Sequence, residues 1–225
     1  MKPQLPKKPS KSQVSADAAA GPAEPPVVPA RRTQAERTAV SNSRLLAAAV
    51  RVIAGRGYRA ASLQAIGEAA GYSRGLVSHR FGSKEGMLKE LLKNIPDIWA
   101  EKVRDLVGLD ALRTATHAHR DAVLKTPDSM RALYMVMYEA QGELEELRGG
   151  FAEWDRMHRA RFEKALRAGQ RNETIRKDID VPASAVLYLA LLRGITSLWL
   201  MDKDGLDLER VYAELDQLLE RALGA

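Results

Sequence analysis

In SLQAIGEAAGYSRGLVSHRFGSKEGML, residues 62–88, three serines each stand one position ahead of a helical pattern. Ser62 can cap LQAIGEAA, where Leu63, Ile66 and Ala70 share a face; Ser73 can cap RGLVSHRF; Ser83 can cap the helix carrying Met87, Leu88, Leu91 and Leu92. Gly71 suits the left-handed end of the first helix, because a side chain there would be strained. The spacing therefore predicts helix, tight turn, helix, with the second helix small enough to enter a DNA major groove. On that second helix Val77 and Phe81 are four apart and face the core, while Arg74, Ser78, His79 and Arg80 project elsewhere, with no acid among them to repel phosphate.

Upstream, Leu45, Ala49, Val52 and Ile53 recur at helical spacing, predicting a helix from Arg37 to about Arg56 that Gly55 and Gly57 end. Residues 1–35 are rich in Pro, Ala, Lys and Ser without periodicity; they cannot bury enough surface to offset chain entropy and are expected to be a disordered basic tail. Charge divides the chain. Through Asn94 there are 16 Lys and Arg against 6 Asp and Glu, a net of +10; from Ile95 onward there are 19 against 23, a net of −4. A basic front on an acidic back suits a nucleic-acid-binding head joined to a body with another task. The expected organisation is a tail over 1–35, a helix-turn-helix domain over 36–83 and a helical domain over 84–225.

Residues 62–88 resemble the DNA-binding motif of the TetR family of transcriptional regulators: the alanine-glycine before the turn, Ser-x-Gly, the closing Phe, and Ser-Lys-Glu opening the next helix. The resemblance extends over about residues 37–93. It implies double-stranded DNA as partner, with Gln64, Arg74, Gly75 and Leu76 approaching bases and Ser62, Ser78, His79, Arg80 and Lys84 holding phosphates. Arg74 is the strongest base reader, since a guanidinium bonds a guanine edge through two hydrogen bonds. The chain departs from the family pattern at Tyr72, Leu76, Ser78 and Arg80; Leu76 offers a thymine methyl an apolar contact where a small hydroxyl residue is common.

Beyond the head no strand pattern emerges, and the expected fold is all-α. Helices are predicted over 83–107 with a break at Pro96, then over 109–125, 127–142 and 150–170, with glycines or Pro127 between them. The apolar segment ASAVLYLALLRGITSLWLM after Pro182 has the length of a membrane span, but Arg193 at its middle favours a buried helix, so no membrane partner is expected. Leu187, Leu191, Ile195 and Leu198 form one stripe there, with Gly194 allowing close approach. Together with a final helix over 206–223, this suits a four-helix homodimer interface.

The resemblance also implies a small-molecule effector held in the helical body, whose binding changes the separation of two DNA-binding heads. Met130, Tyr134, Met137 and Tyr138 on one helix and Phe151, Trp154 and His158 on another, with Trp99 near, are the lining residues that spacing suggests. Such walls favour an apolar or aromatic molecule, although the same stripe would serve a plain core. The chain has no cysteine, which removes thiol chemistry and cysteine-bound zinc. His117 and His119 diverge on a helix, and no metal-ligand or phosphate-loop motif appears, so neither metal, cofactor nor catalytic site is expected. The expectation is a cytoplasmic repressor, with a ligand-independent architectural DNA-binding protein as the alternative and a helical enzyme as a weaker one.

Overall fold

The computed structural model describes residues 33–94, 97–142 and 144–225. The tail expected over residues 1–35 falls outside them up to Arg32, whereas Thr33 to Ala35 open the first helix. Nine α-helices run through the described residues: α1 Gln34–Ala60, α2 Leu63–Ala70, α3 Arg74–Phe81, α4 Lys84–Lys93, α5 Gly108–Lys125, α6 Pro127–Glu139, α7 Glu145–Arg171, α8 Val181–Met201 and α9 Leu208–Leu223. The one extended pairing among them is a single bridge, Ile175 to Gly224.

α1 starts three residues before the sequence pattern predicts because Thr33 and Glu36 form a reciprocal cap, each side chain serving the other's backbone N–H. Leu45, Ala48, Ala49, Val52 and Ile53 bury its inner face. Gly57, at φ 83°, interrupts the helix, and one further turn through Tyr58 leads into α2. The head is joined to the body where α1 packs on α6, and Met135 of α6 lies beside Gly57.

Three boundaries beyond α1 differ most from the sequence reading. No α-helix runs from Asp97 to Asp105; the Asp97 carboxylate accepts the N–H groups of Trp99 (3.2 Å) and Ala100 (3.0 Å), which opens a series of tight turns. α6 ends at Glu139, three residues early, in the turn bonds from Gln141 to Tyr138 and Gly142 to Glu139. α7 begins at Glu145 and passes through Gly149 and Gly150, which were expected to separate elements. Leu147 and Phe151, four apart and buried, anchor that turn and outweigh about 1 kcal/mol for each glycine.

α8 is long and apolar enough to cross a membrane. Its stripe of Ala185, Tyr188, Leu189, Leu192, Thr196 and Trp199 is buried, and the helix packs on α7 and α5. Arg193 pairs with Asp155 of α7 through both carboxylate oxygens, so the charge that argues against a span has its counter-ion inside the protein.

Candidate DNA-binding and effector sites

Local chemistry builds the head. Ser62 accepts the Ala65 N–H (3.1 Å), Ser73 that of Leu76 (3.3 Å) and Ser83 that of Gly86 (3.1 Å), so all three expected caps form. Gly71 lies at φ 75°, and Tyr72 N–H then returns to the Gly67 carbonyl at 2.8 Å. A Cβ on Gly67 would stand 2.8 Å from the Tyr72 carbonyl oxygen and 3.2 Å from Val77, so α2 and α3 are packed as closely as glycine permits. Val77 is fully buried and Phe81 packs against the same core, which fixes the roll of α3.

That roll leaves Arg74, Gly75 and His79 exposed, with Leu76, Ser78 and Arg80 half-buried beside them. Ser62 and Gln64 are exposed at the start of α2. Besides Ser62, engaged in its cap, three of the expected contact residues already have partners. Gln64 donates to Glu68 (3.0 Å). Arg80 lies against α1 with Nη2 3.5 Å from Ser41 Oγ, and its buried Nε has no partner among the described residues. Lys84 differs most from the phosphate contact that the family pattern implies. Its Nζ donates to the carbonyls of Tyr58 (2.5 Å) and Arg59 (3.3 Å) and lies 3.6 Å from the centre of the Tyr58 ring. Partial burial lowers its pKa against the pull of Glu85 and Glu139. In this structure the Lys84 ammonium pins α4 to the end of α1, where the last carbonyls lack helical partners.

The body encloses a cavity of about 250 Å³. Leu88, Leu91 and Leu92 of α4 and Val50 of α1 close it on the head side; Met130, Tyr134 and Met137 of α6, Trp154 and His158 of α7, and Trp99 from the turns line it, as spacing suggested. Two expected residues are not in the lining. Tyr138 is half exposed and its hydroxyl meets Ser197 Oγ at 3.0 Å, because α6 turns that position outward toward α8. Phe151 is buried two helical turns from His158, in packing outside the cavity. Sequence reasoning missed Asp97, His119, Leu189, Leu192 and Arg193, all of which line it. His119 was legible: it continues the buried face of Leu112, Ala115 and Thr116, while His117 points out to Asp216 at 2.6 Å.

The polar groups of the cavity are mostly satisfied. Trp99 Nε1 donates to the Ala115 carbonyl (3.0 Å), and His119 Nδ1 meets the Tyr212 hydroxyl (2.7 Å). Asp97 takes two bonds from Arg161, at 2.9 and 2.6 Å; these hold its pKa below the usual carboxylate range although burial pushes it up. Burial, reinforced by the Arg193 charge, pushes His119 down to about 3. Burial likewise pushes His158 down to about 4, with Arg161 and Arg193 lowering it further against the opposing pull of Asp97 and Asp155. Both imidazoles are therefore neutral at physiological pH.

On the far side, Leu187 and Leu198 are more than 60% exposed and Leu191 and Gly194 are also open, together with Val186 and Met201. Nothing stands within 4 Å of a Cβ built on Gly194. Ile195 departs from the expected stripe, half-buried against the subunit's own core. An apolar face of this extent on one helix is more than scattered surface leucines supply.

Two family models match the chain: bacterial regulatory proteins of the tetR family over residues 45–91, and the C-terminal domain of BetI-type transcriptional repressors over residues 108–224. An HTH-type transcriptional repressor, KstR2 of Rhodococcus jostii, is 33% identical over 149 residues, covering 61% of this chain and 69% of that protein. Among solved structures, a TetR-family regulator from a Rhodococcus species superposes with a TM-score of 0.72 at 22% identity, covering 80% of this chain and 97% of that one. A transcriptional regulator from Saccharomonospora viridis in complex with choline superposes at 0.69 with 20% identity, covering 83% and 99%. With its capped helix-turn-helix matched by one model and its helical body by the other, this chain belongs to the TetR family of bacterial transcriptional regulators.

Proposed function

We propose that the chain is a cytoplasmic repressor that binds a pseudo-palindromic operator as a homodimer and is released by a small apolar or aromatic effector. The observation that carries this is the cavity's position: α1 of the head and the adjoining α4 supply one wall and α6 and α7 another. A molecule filling the space presses on Leu88, Leu91 and Leu92, and α4 is pinned to α1 by Lys84, so wall displacement is passed to the head. An effector preferring the head separation that misfits the operator then lowers DNA affinity by its differential affinity for the two states.

Arg74 reads a base, with Gly75 and Leu76 against the groove floor; Ser62, Ser78, His79 and Arg80 meet phosphates, and Gln64 reaches a base once freed from Glu68. The exposed stripe of α8, flanked by α9, takes a second copy and sets the two heads one turn of duplex apart or a multiple of it. Selection of bound duplexes from a random pool tests this: a two-fold symmetric consensus with steep salt dependence is expected. Equal affinity for unrelated duplexes would instead favour the ligand-independent architectural alternative.

A further inference from the structure

We propose that the effector is an uncharged flat molecule carrying a hydrogen-bond acceptor oxygen, which receives the Nε2–H of His158. This rests on the cavity being the effector site and adds the chemistry that the site selects. His158 lines the cavity and is 1% exposed. Its Nδ1 lies 3.1 Å from Nη1 of Arg161. A guanidinium only donates, so Nδ1 is the accepting nitrogen and the ring proton sits on Nε2. That N–H is buried and has no partner among the described residues. A buried donor without a partner is costly, and an acceptor brought in by a ligand recovers that cost.

The charges around the cavity fix the rest. Asp97 is held by Arg161, and Arg193 by Asp155. A charged ligand finds no free counter-charge among the described lining residues and would have to break one of these pairs. A quaternary ammonium would need a bare indole face, but the Arg193 guanidinium already stands 5.6 Å from the centre of the Trp154 ring. His158 lies edge-to-face with both Trp99 (4.5 Å) and Trp154 (4.4 Å), so an acceptor meeting it comes attached to a body flanked by aromatic rings. The structural relative bound to choline therefore differs from this chain in ligand class.

The test uses the full chain and the fluorescence of Trp99 and Trp154, titrated with acetonaphthone, ethylnaphthalene, naphthoate and choline. Acetonaphthone is expected to bind roughly ten- to a hundred-fold more tightly than ethylnaphthalene, the factor that one satisfied buried donor supplies. Naphthoate and choline are expected to bind more weakly than acetonaphthone. His158→Phe should erase the preference for the ketone while keeping ethylnaphthalene affinity, and His158→Gln, whose amide can place a donor near Nε2, should restore it. Nitrogen NMR of the free protein should show the neutral Nε2–H tautomer, a readout that does not depend on the variants folding. Equal binding of ketone and hydrocarbon, tighter binding of naphthoate or choline, or an Nδ1–H tautomer overturns the proposal and leaves the cavity as a binding site. Failure of all four probes to bind would overturn the cavity assignment itself, and this proposal with it.

Discussion

Replacing Gly75 by alanine should move stability and DNA affinity in opposite directions. Gly75 sits in the first turn of α3, and a Cβ built there meets only Ser73 Oγ, at an uncrowded 3.8 Å. Its φ is not in the left-handed region, so alanine fits without strain. A helical glycine costs up to about 1 kcal/mol relative to alanine; near a helix end about half of that applies, so Gly75→Ala should gain about 0.5 kcal/mol. The same methyl faces outward between exposed Arg74 and half-buried Leu76. If α3 lies on the groove floor there, overpacking costs about 1–3 kcal/mol per half-site, and a dimer suffers it twice. Urea denaturation and fluorescence anisotropy on a duplex selected by the wild-type chain measure the two quantities on one preparation. A raised denaturation midpoint with affinity reduced at least about fivefold is expected. Unchanged operator affinity in the stabilised variant would refute the placement of Gly75 against DNA, and a destabilised variant would refute the helical geometry of α3.

Arg74→Ala should cost about 1–3 kcal/mol of operator affinity and relax preference at one position per half-site, read from selected-duplex sequences. Lys84→Ala should weaken binding to all duplexes alike and, because its ammonium holds the Tyr58 and Arg59 carbonyls, should also lower the denaturation midpoint; affinity loss without a stability loss would make Lys84 a phosphate contact alone. Leu191→Glu should yield monomers by analytical ultracentrifugation that bind operator weakly, and an intact dimer would move the interface away from α8. His119 and His158 titrate near 6.5 when unfolded but near 3 and 4 when folded, so between those values the unfolded chain binds more protons. Stability is complete above about pH 6.5 and should fall as pH drops, by about 1.4 kcal/mol per unit for each histidine. Urea midpoints from pH 7 to 4 on the wild type and on His119→Phe with His158→Phe check this; equal slopes would count against both shifts.

The chain's head was legible because its rules are local. Ser62, Ser73 and Ser83 act on backbone groups three residues away, Gly71 answers a steric demand of its own φ, and Val77 with Phe81 declares a buried face by spacing alone. The exposed leucines of α8 were legible for the same reason. At Gly149 and Gly150 tertiary burial overrules the glycine stop, because Leu147 and Phe151 carry α7 through both. α4 does end before Pro96, but the helix expected to resume beyond it is replaced by turns that the Asp97 carboxylate opens.

The cavity was only half legible. Helical spacing marks which residues of α6 and α7 share a face, and Met130, Tyr134, Met137, Trp154 and His158 followed from it, with Trp99 reaching the same cavity from the turns. Tyr138 was misplaced because spacing does not say where a face meets its neighbour and where it reaches solvent. Arg193 in the lining and Lys84 turned inward depend on groups 38 and 26 residues away, meeting across packed helices, and His158 is buried against Trp99 from a different part of the chain. Sequence determined the kind of protein, since capping, turn and periodicity act within a few residues. Tertiary structure decided which charges are paired and which groups enclose the cavity, because those are settled by side chains that only folding brings within reach of one another.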